Sequence, residues 1–235
     1  KRSASIVGFQ EHAVDGKDAV AAIKEAKENR WDMYNGHVDT ELNRKTGGVG
    51  FQRTGETPLL PIRHKTEDYK DAEATGRLKI VEVELKEGGR LQIGNVYGWT
   101  GAIKGSRAAE RTDDLVTIAV NEFELQDEGP KMLIGDINGD PANFTMIEEM
   151  LSSGEWMDVG SCEYLCGKAV SAPTCNVRAS AEATRRDYIL VNSTLLPAVQ
   201  VARVDVADVF PTHQPVQMAL ASNKVIMASR RLRKT

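Results

Sequence analysis

The run Lys131-Met132-Leu133-Ile134-Gly135-Asp136-Ile137-Asn138-Gly139-Asp140-Pro141 sets a short apolar stretch directly against an Asp-x-Asn pair. A carboxylate can take a proton or hold a hard cation, and a carboxamide can donate to an anionic oxygen without adding charge. Alternation along an extended backbone sends Asp136 and Asn138 to one side and Ile137 to the other, so the pair can converge on one ligand at a strand's end. Asp136, Asn138 and Asp140 also fall on the first, third and fifth ligand positions of a calcium-binding EF-hand loop. That reading fails on two requirements: Pro141 stands where the turn needs Gly, and Ile147 where the loop needs a closing bidentate Glu. The plainer alternative is a strand-to-loop junction in which Asp and Asn only form turns, and this motif alone does not separate the two.

The elements that must position these groups are legible as alternating and helical patterns. Ser5-Ile6-Val7-Gly8-Phe9 reads as a strand, followed by Asp15 as an N-cap and a helix with Ala19, Val20, Ile23 and Ala26 on one face. Gly47-Gly48-Val49-Gly50-Phe51 reads as a Gly-rich strand, and Pro58 to Ala74 as polar and irregular. Leu78 to Leu85 and Arg90 to Tyr97, joined at Gly88-Gly89, form a hairpin. Leu115, Ile118, Ala119, Glu122 and Phe123 recur at helical spacing, which predicts an amphipathic helix from about Glu110 to Leu125. After the Asp136 strand, Asn143 can cap a helix holding Phe144, Ile147 and Leu151 that Gly154 closes. Asp187 to Val191, Ala198 to Val206 and Val216 to Ala221 read as three more strands. No internal repeat is visible, so a single mixed α/β domain over residues 1–222 is the simplest architecture. Residues 223–235, with Arg230-Arg231-Leu232-Arg233-Lys234, read as a basic tail or the start of a following region.

The 235 residues, 41% hydrophobic and 27% charged, are ordinary for a globular chain with a substantial core. No apolar run approaches the ~20 residues of a membrane helix. Cys162, Cys166 and Cys175 are odd in number and have no nearby His pair, which argues against a disulfide framework or a structural zinc. Free thiols in an intracellular compartment, nuclear or cytoplasmic, are the expectation. The net charge of -4 gives no global attraction for polyanions, so a nucleic-acid substrate needs a local basic cleft or metal ions.

Further polar clusters interrupt the strands. They are Gln10-Glu11, then Asn95-Val96-Tyr97, Pro173-Thr174, Thr184-Arg185-Arg186-Asp187-Tyr188-Ile189, and Phe210-Pro211-Thr212-His213-Gln214-Pro215-Val216. Taken in order with Ile134-Gly135-Asp136-Ile137-Asn138, they resemble the endonuclease/exonuclease/phosphatase superfamily across nearly the whole chain. The Thr184 to Ile189 and Phe210 to His213 segments look most like the endonuclease domains that mobile elements encode beside reverse transcriptases.

The resemblance implies a four-layer α/β sandwich, with two facing mixed β-sheets flanked by helices and the site at one edge. It also implies a hydrolase of phosphodiesters, most simply an endonuclease nicking DNA, within a longer chain carrying a reverse transcriptase. Mg²⁺ or Mn²⁺ would sit at Glu11, because hard cations prefer carboxylate oxygens. Asp136 would activate water, Asn138 and His213 would stabilise phosphate charge, and Asp187 would orient His213. Asn95 and Tyr97 would join Asn138 in contacting substrate. Three features depart from the family pattern. Only five residues precede Ile6, so the family's first strand is expected to be missing. Thr212 stands where the family has an Asp, and Gly98-Trp99-Thr100-Gly101 replaces a small residue and Pro. These departures keep open a degenerate domain that binds nucleic acid or a protein partner, and a phosphatase or phosphodiesterase on another substrate. A lipid phosphodiesterase would show an exposed apolar docking loop, for which Trp99 is the one hint. An inositol phosphatase would need a basic pocket, for which Arg63, His64 and Lys65 could serve.

Overall fold

Several strands in this chain are apolar on both faces, and that decides the architecture. In the computed structural model, which describes residues 5–38, 47–54, 58–85, 89–126, 128–176, 182–205, 212–221 and 224, Leu78 and Ile80 enter one core while Val81 and Val83 enter another. A sheet buried on both sides must be covered on both sides. In chain order the elements are β1 (Ile6–Phe9), α1 (Gly16–Glu28), β2 (Trp31–Asn35), β3 (Gly50–Thr54), β4 (Leu59–Pro61), α2 (Glu67–Ala74), β5 (Leu78–Glu84), β6 (Arg90–Tyr97), α3 (Arg107–Leu125), β7 (Lys131–Asp136), α4 (Thr145–Ser152), β8 (Trp156–Asp158), α5 (Glu163–Cys166), β9 (Asp187–Asn192), β10 (Val199–Val204) and β11 (Val216–Leu220).

The central sheet runs β4-β5-β6-β7-β9-β8. Its ladders are antiparallel except β6 with β7, whose parallel pairing needs the long crossover that α3 supplies. On one face, α2, α3 and α4 pack through Tyr69, Phe123, Phe144 and Ile147, all fully buried. On the other lies a second β layer made of two antiparallel sheets, β1-β3-β2 and β10-β11, around Phe51, Leu195 and Val191. Helix α1 packs on β2 from outside. The result is the four-layer sandwich expected.

Several local expectations need correction. The stretch expected to be irregular holds β4 and α2. Thr66 caps α2 by accepting from the Tyr69 amide at 3.1 Å and donates to Glu122 Oε2 at 2.7 Å. Tyr69 and Ala72 are its only buried residues, too few to show a periodic stripe. Strand β2 was not anticipated, because Trp31-Asp32-Met33-Tyr34-Asn35 is half-buried throughout. No residue of α1 is buried: Ala19, Ala22 and Ala26 are half-buried, whereas Val20 and Ile23 of the expected face are exposed. Asn143 does not cap α4, since its side chain donates to the Ala102 carbonyl at 2.9 Å. The first amides of α4, on Thr145 and Met146, instead bond the Asp113 carboxylate of α3 at 3.1 and 2.9 Å. The three cysteines are free, as expected. Among the described residues β1 pairs only with β3 and β11 only with β10. The basic stretch from Arg230 to Lys234 and residues 86–88 of the hairpin turn lie outside the described residues.

Candidate active site

Register brings the sequence-predicted groups together. Tyr97 of β6 lies directly opposite Asp136 of β7, which lies opposite Asp187 of β9. Directly paired residues share a face of the sheet, so the three polar side chains form one rung at the sheet's end, facing the second β layer. Gly135, just before the rung, has φ +141°, and a side chain there would run into the Val96 carbonyl. Only glycine fits that point. Beyond the strand, the Asn138 amide donates to Asp136 Oδ1 at 2.8 Å, while its carboxamide donates to the Gly98 carbonyl at 3.0 Å. Ile137 between them is buried in the core. The two polar side chains therefore line one cleft of about 340 Å³, together with Glu11, Tyr97, Arg186, Thr212 and His213.

Glu11 reaches this cleft from the end of β1. It is exposed and adopts φ 55°, and Ala13 follows at φ 47°, a left-handed backbone that non-glycine residues hold only when neighbours enforce it. One neighbour is Tyr97, whose hydroxyl donates to Glu11 Oε1. Burial first, then the Glu11 hydrogen bond and charge, push the Tyr97 phenol well above its usual range, so it remains a donor. The expected substrate contact Asn95 is placed differently. It is fully buried, accepts from Gln10 at 2.5 Å and donates to the Phe9 and Gly50 carbonyls at 3.0 Å each. Its carboxamide stitches β6 to the small sheet behind Glu11 and does not line the cleft.

His213 lies across the cleft with Nδ1 at 2.9 Å from Asp187 Oδ2 and Nε2 at 3.9 Å from Asp136 Oδ2. The Asp187 bond, opposed by partial burial, raises the His213 pKa above its ordinary value. Burial above all, then the nearby charges of Asp187 and Glu11, push Asp136 up to about 7 against the pull of the Asn138 amide and His213. Buried Thr174 locks the Asp187 side of the cleft: its hydroxyl accepts from the amides of both Arg186 and Asp187 at 2.9 and 3.0 Å, and its carbonyl from Gln214 N at 2.7 Å. Pro173-Thr174 was recognised as a motif but without a role.

Arg186 was missed as a site residue. It lines the cleft and donates to the Asn138 carbonyl at 3.2 Å. Its neighbour Arg185 makes a bidentate pair with Asp158 at 2.6 Å instead. Adjacent arginines do not reveal in sequence which one faces the site.

Asp136, Asp187 and His213 present ligand atoms all within 4.8 Å of one another. Glu11 adds another carboxylate to the same cleft. Oxygen donors crowded enough that their charges help raise the Asp136 pKa suit a hard divalent cation, which would reverse that electrostatic penalty.

Other hints dissolve. Trp99 is half-buried, with the Arg77 and Arg111 guanidinium carbons 4.5 and 4.1 Å from its ring centroid, so it is no docking loop. Lys65 pairs with Glu73 at 2.6 Å, and Arg63, His64 and Lys65 do not line the cleft.

No family model and no curated protein matches the chain. Solved structures do. The chain is similar to the 3'-5' exonuclease NExo of Neisseria meningitidis, with 16% identity and a TM-score of 0.67 over 92% of this chain and 89% of that one. It is similar to an AP endonuclease from Archaeoglobus fulgidus, with 13% identity and a TM-score of 0.67 over 92% and 88% of the two chains. A mannosyl-6-phosphatase of Bacteroides thetaiotaomicron shares 18% identity and a TM-score of 0.60 over 92% and 85%. At these identities the likeness is one of fold.

Proposed function

On the endonuclease/exonuclease/phosphatase fold that these likenesses share, we propose that this chain is a divalent-cation-dependent phosphodiester hydrolase that nicks DNA. The observation that carries the reading is the row of Asp136 and Asp187 facing His213, with Glu11 across the same cleft. Mg²⁺ or Mn²⁺ held at Glu11 would supply charge neutralisation on the phosphate. The Asp136–Asp187–His213 group has metal-ligand spacing too, but the His213–Asp187 hydrogen bond already engages one ligand atom from each.

Asp136 takes the proton of the attacking water, a role served by a pKa of about 7, close to working pH. Asn138 Nδ2 has a second N–H beyond the one given to Gly98, and this donates to a phosphate oxygen. His213, its Nδ1 held by Asp187, offers Nε2–H to the phosphate oxygens on which negative charge develops. Arg186 adds a fixed cation on the same side. The likeness of Thr184 to Ile189 and Phe210 to His213 to mobile-element endonuclease domains supports a place beside a reverse transcriptase.

Cleavage of supercoiled plasmid and a labelled oligonucleotide tests the reading. Nicking is expected with Mg²⁺ and is expected to vanish with EDTA and in Asp136→Ala and His213→Ala. The second reading, a non-cleaving domain that binds nucleic acid, is favoured by Thr212, an exposed cleft residue that carries no charge where the resembled family has Asp. Retained DNA binding without nicking, in a form extended at its N-terminus as well, would select it.

A further inference from the structure

We propose that Arg77 is a positioning residue for Glu11, acting through the ring of Tyr97; the inference rests on Glu11 being the cation ligand of the proposed hydrolase. Arg77 immediately precedes β5 and is 8% exposed, a rare burial for a guanidinium. Its carbonyl accepts from the Tyr97 amide at 2.8 Å, which extends the rung of Tyr97, Asp136 and Asp187 by one strand. Its side chain then folds over that rung. The guanidinium carbon lies 4.8 Å from the Tyr97 ring centroid and 4.5 Å from that of Trp99, and Nη1 donates to the Gly98 carbonyl at 3.2 Å. Trp99 is itself held by Arg111 at 4.1 Å and by the Thr112 hydroxyl, which accepts its amide at 2.9 Å. A continuous stack therefore runs from α3 through Arg111, Trp99 and Arg77 to Tyr97, whose hydroxyl donates to Glu11.

The stack has a task because Glu11 needs outside support. Glu11 is exposed, sits in a left-handed backbone conformation and receives a hydrogen bond from the Tyr97 phenol. A phenol oxygen at the end of a six-membered ring is fixed only if the ring is fixed, and a planar cation over its face does that while leaving the hydroxyl free to donate. Partners that orient a metal ligand are worth a 10–100-fold change in metal affinity when removed. Trp99 stands where the sequence departs from the resembled family, so the device belongs to this chain's own version of the site.

The test is Mn²⁺ binding by titration calorimetry on the whole chain, read beside nicking, for wild type, Arg77→Lys, Arg77→Met, Trp99→Leu, Tyr97→Phe and the Arg77→Lys/Tyr97→Phe pair. Arg77→Lys keeps the charge but loses the plane and the fork. We expect it and Tyr97→Phe each to weaken Mn²⁺ binding about tenfold, and the pair to be no weaker than either alone, since both break one chain of contacts. Trp99→Leu, which leaves the rung intact, is expected to weaken it about threefold. Losses that multiply in the pair, or wild-type Mn²⁺ affinity in both Arg77→Lys and Trp99→Leu, would overturn the inference while leaving the hydrolase reading intact. Weakening in Arg77→Met alone, with Lys restoring full affinity, would overturn it in favour of charge. A wild type that neither binds Mn²⁺ nor nicks DNA would remove the reading and the inference together.

Discussion

At the scale of single residues, Asp136 works against the stability of the fold it sits in. Its folded pKa of about 7 lies above the ordinary value near 4, so the native state takes up a proton before the unfolded chain does as pH falls. Stability therefore rises as pH drops from about 7 toward 4, and the carboxylate costs most above 7. In metal-free protein, Asp136→Asn should raise stability by about 2–4 kcal/mol at pH 8 and change it little at pH 4, read as thermal midpoints in EDTA. A midpoint at pH 8 unmoved by the substitution would count against a buried, charge-crowded carboxylate. His213 adds a slope of the same sign: its raised pKa stabilises below about 6.5 and that contribution is lost as pH climbs through the folded value. Asp136, Asn138, Asp187, His213 and Glu11 were legible in the sequence because each stands in a short motif at a strand's end. Arg77 was not legible as part of a site and Thr174 only as a motif without a role, because what each does comes from neighbours across the fold that no local pattern encodes.

At the scale of elements, the sequence reading held where one side of a segment is apolar and failed where capping is done at a distance. The β5–β6 hairpin and α3 were anticipated from long periodic segments, and β7 from a short continuous apolar run ending in Asp-x-Asn. Helix α4 was anticipated with the wrong cap, since Asp113 of α3 binds its first amides from another helix. A charged side chain at a helix N-terminus satisfies orphan donors and the helix dipole together. Asp113→Ala should cost about 1–2 kcal/mol, measured by urea denaturation, whereas Asn143→Ala should not reproduce a helix-cap loss at α4. Because Asn143→Ala also loses the bond to the Ala102 carbonyl, the deciding observation is amide exchange at Thr145 and Met146: loss of protection there in Asn143→Ala but not in Asp113→Ala would restore Asn143 as the cap. Helix α2 and β2 escaped because burial of only two residues, or of none, leaves no stripe to read.

At the scale of the whole molecule, two cores share one sheet. Phe123 lies in the core under the helices and Phe51 in the core between the β layers, both fully buried. Because β5, β6, β7 and β9 contribute to both, the cores should melt together, with Phe51→Ala and Phe123→Ala each costing about 3–5 kcal/mol. Tryptophan fluorescence and far-UV circular dichroism should report one coincident transition in each variant, and separated transitions would mean two folding units. No described helix is long and apolar enough to cross a membrane. The rung that carries Tyr97, Asp136 and Asp187 has a consequence for assembly. A strand slipped by one residue presents its opposite face, so β7 out of step with its neighbours would swing Asp136 away and bring Gly135 or Ile137 into its place. A partly correct alignment has no partly competent counterpart, and the site acts as a gauge that closes only when the sheet has been threaded in step.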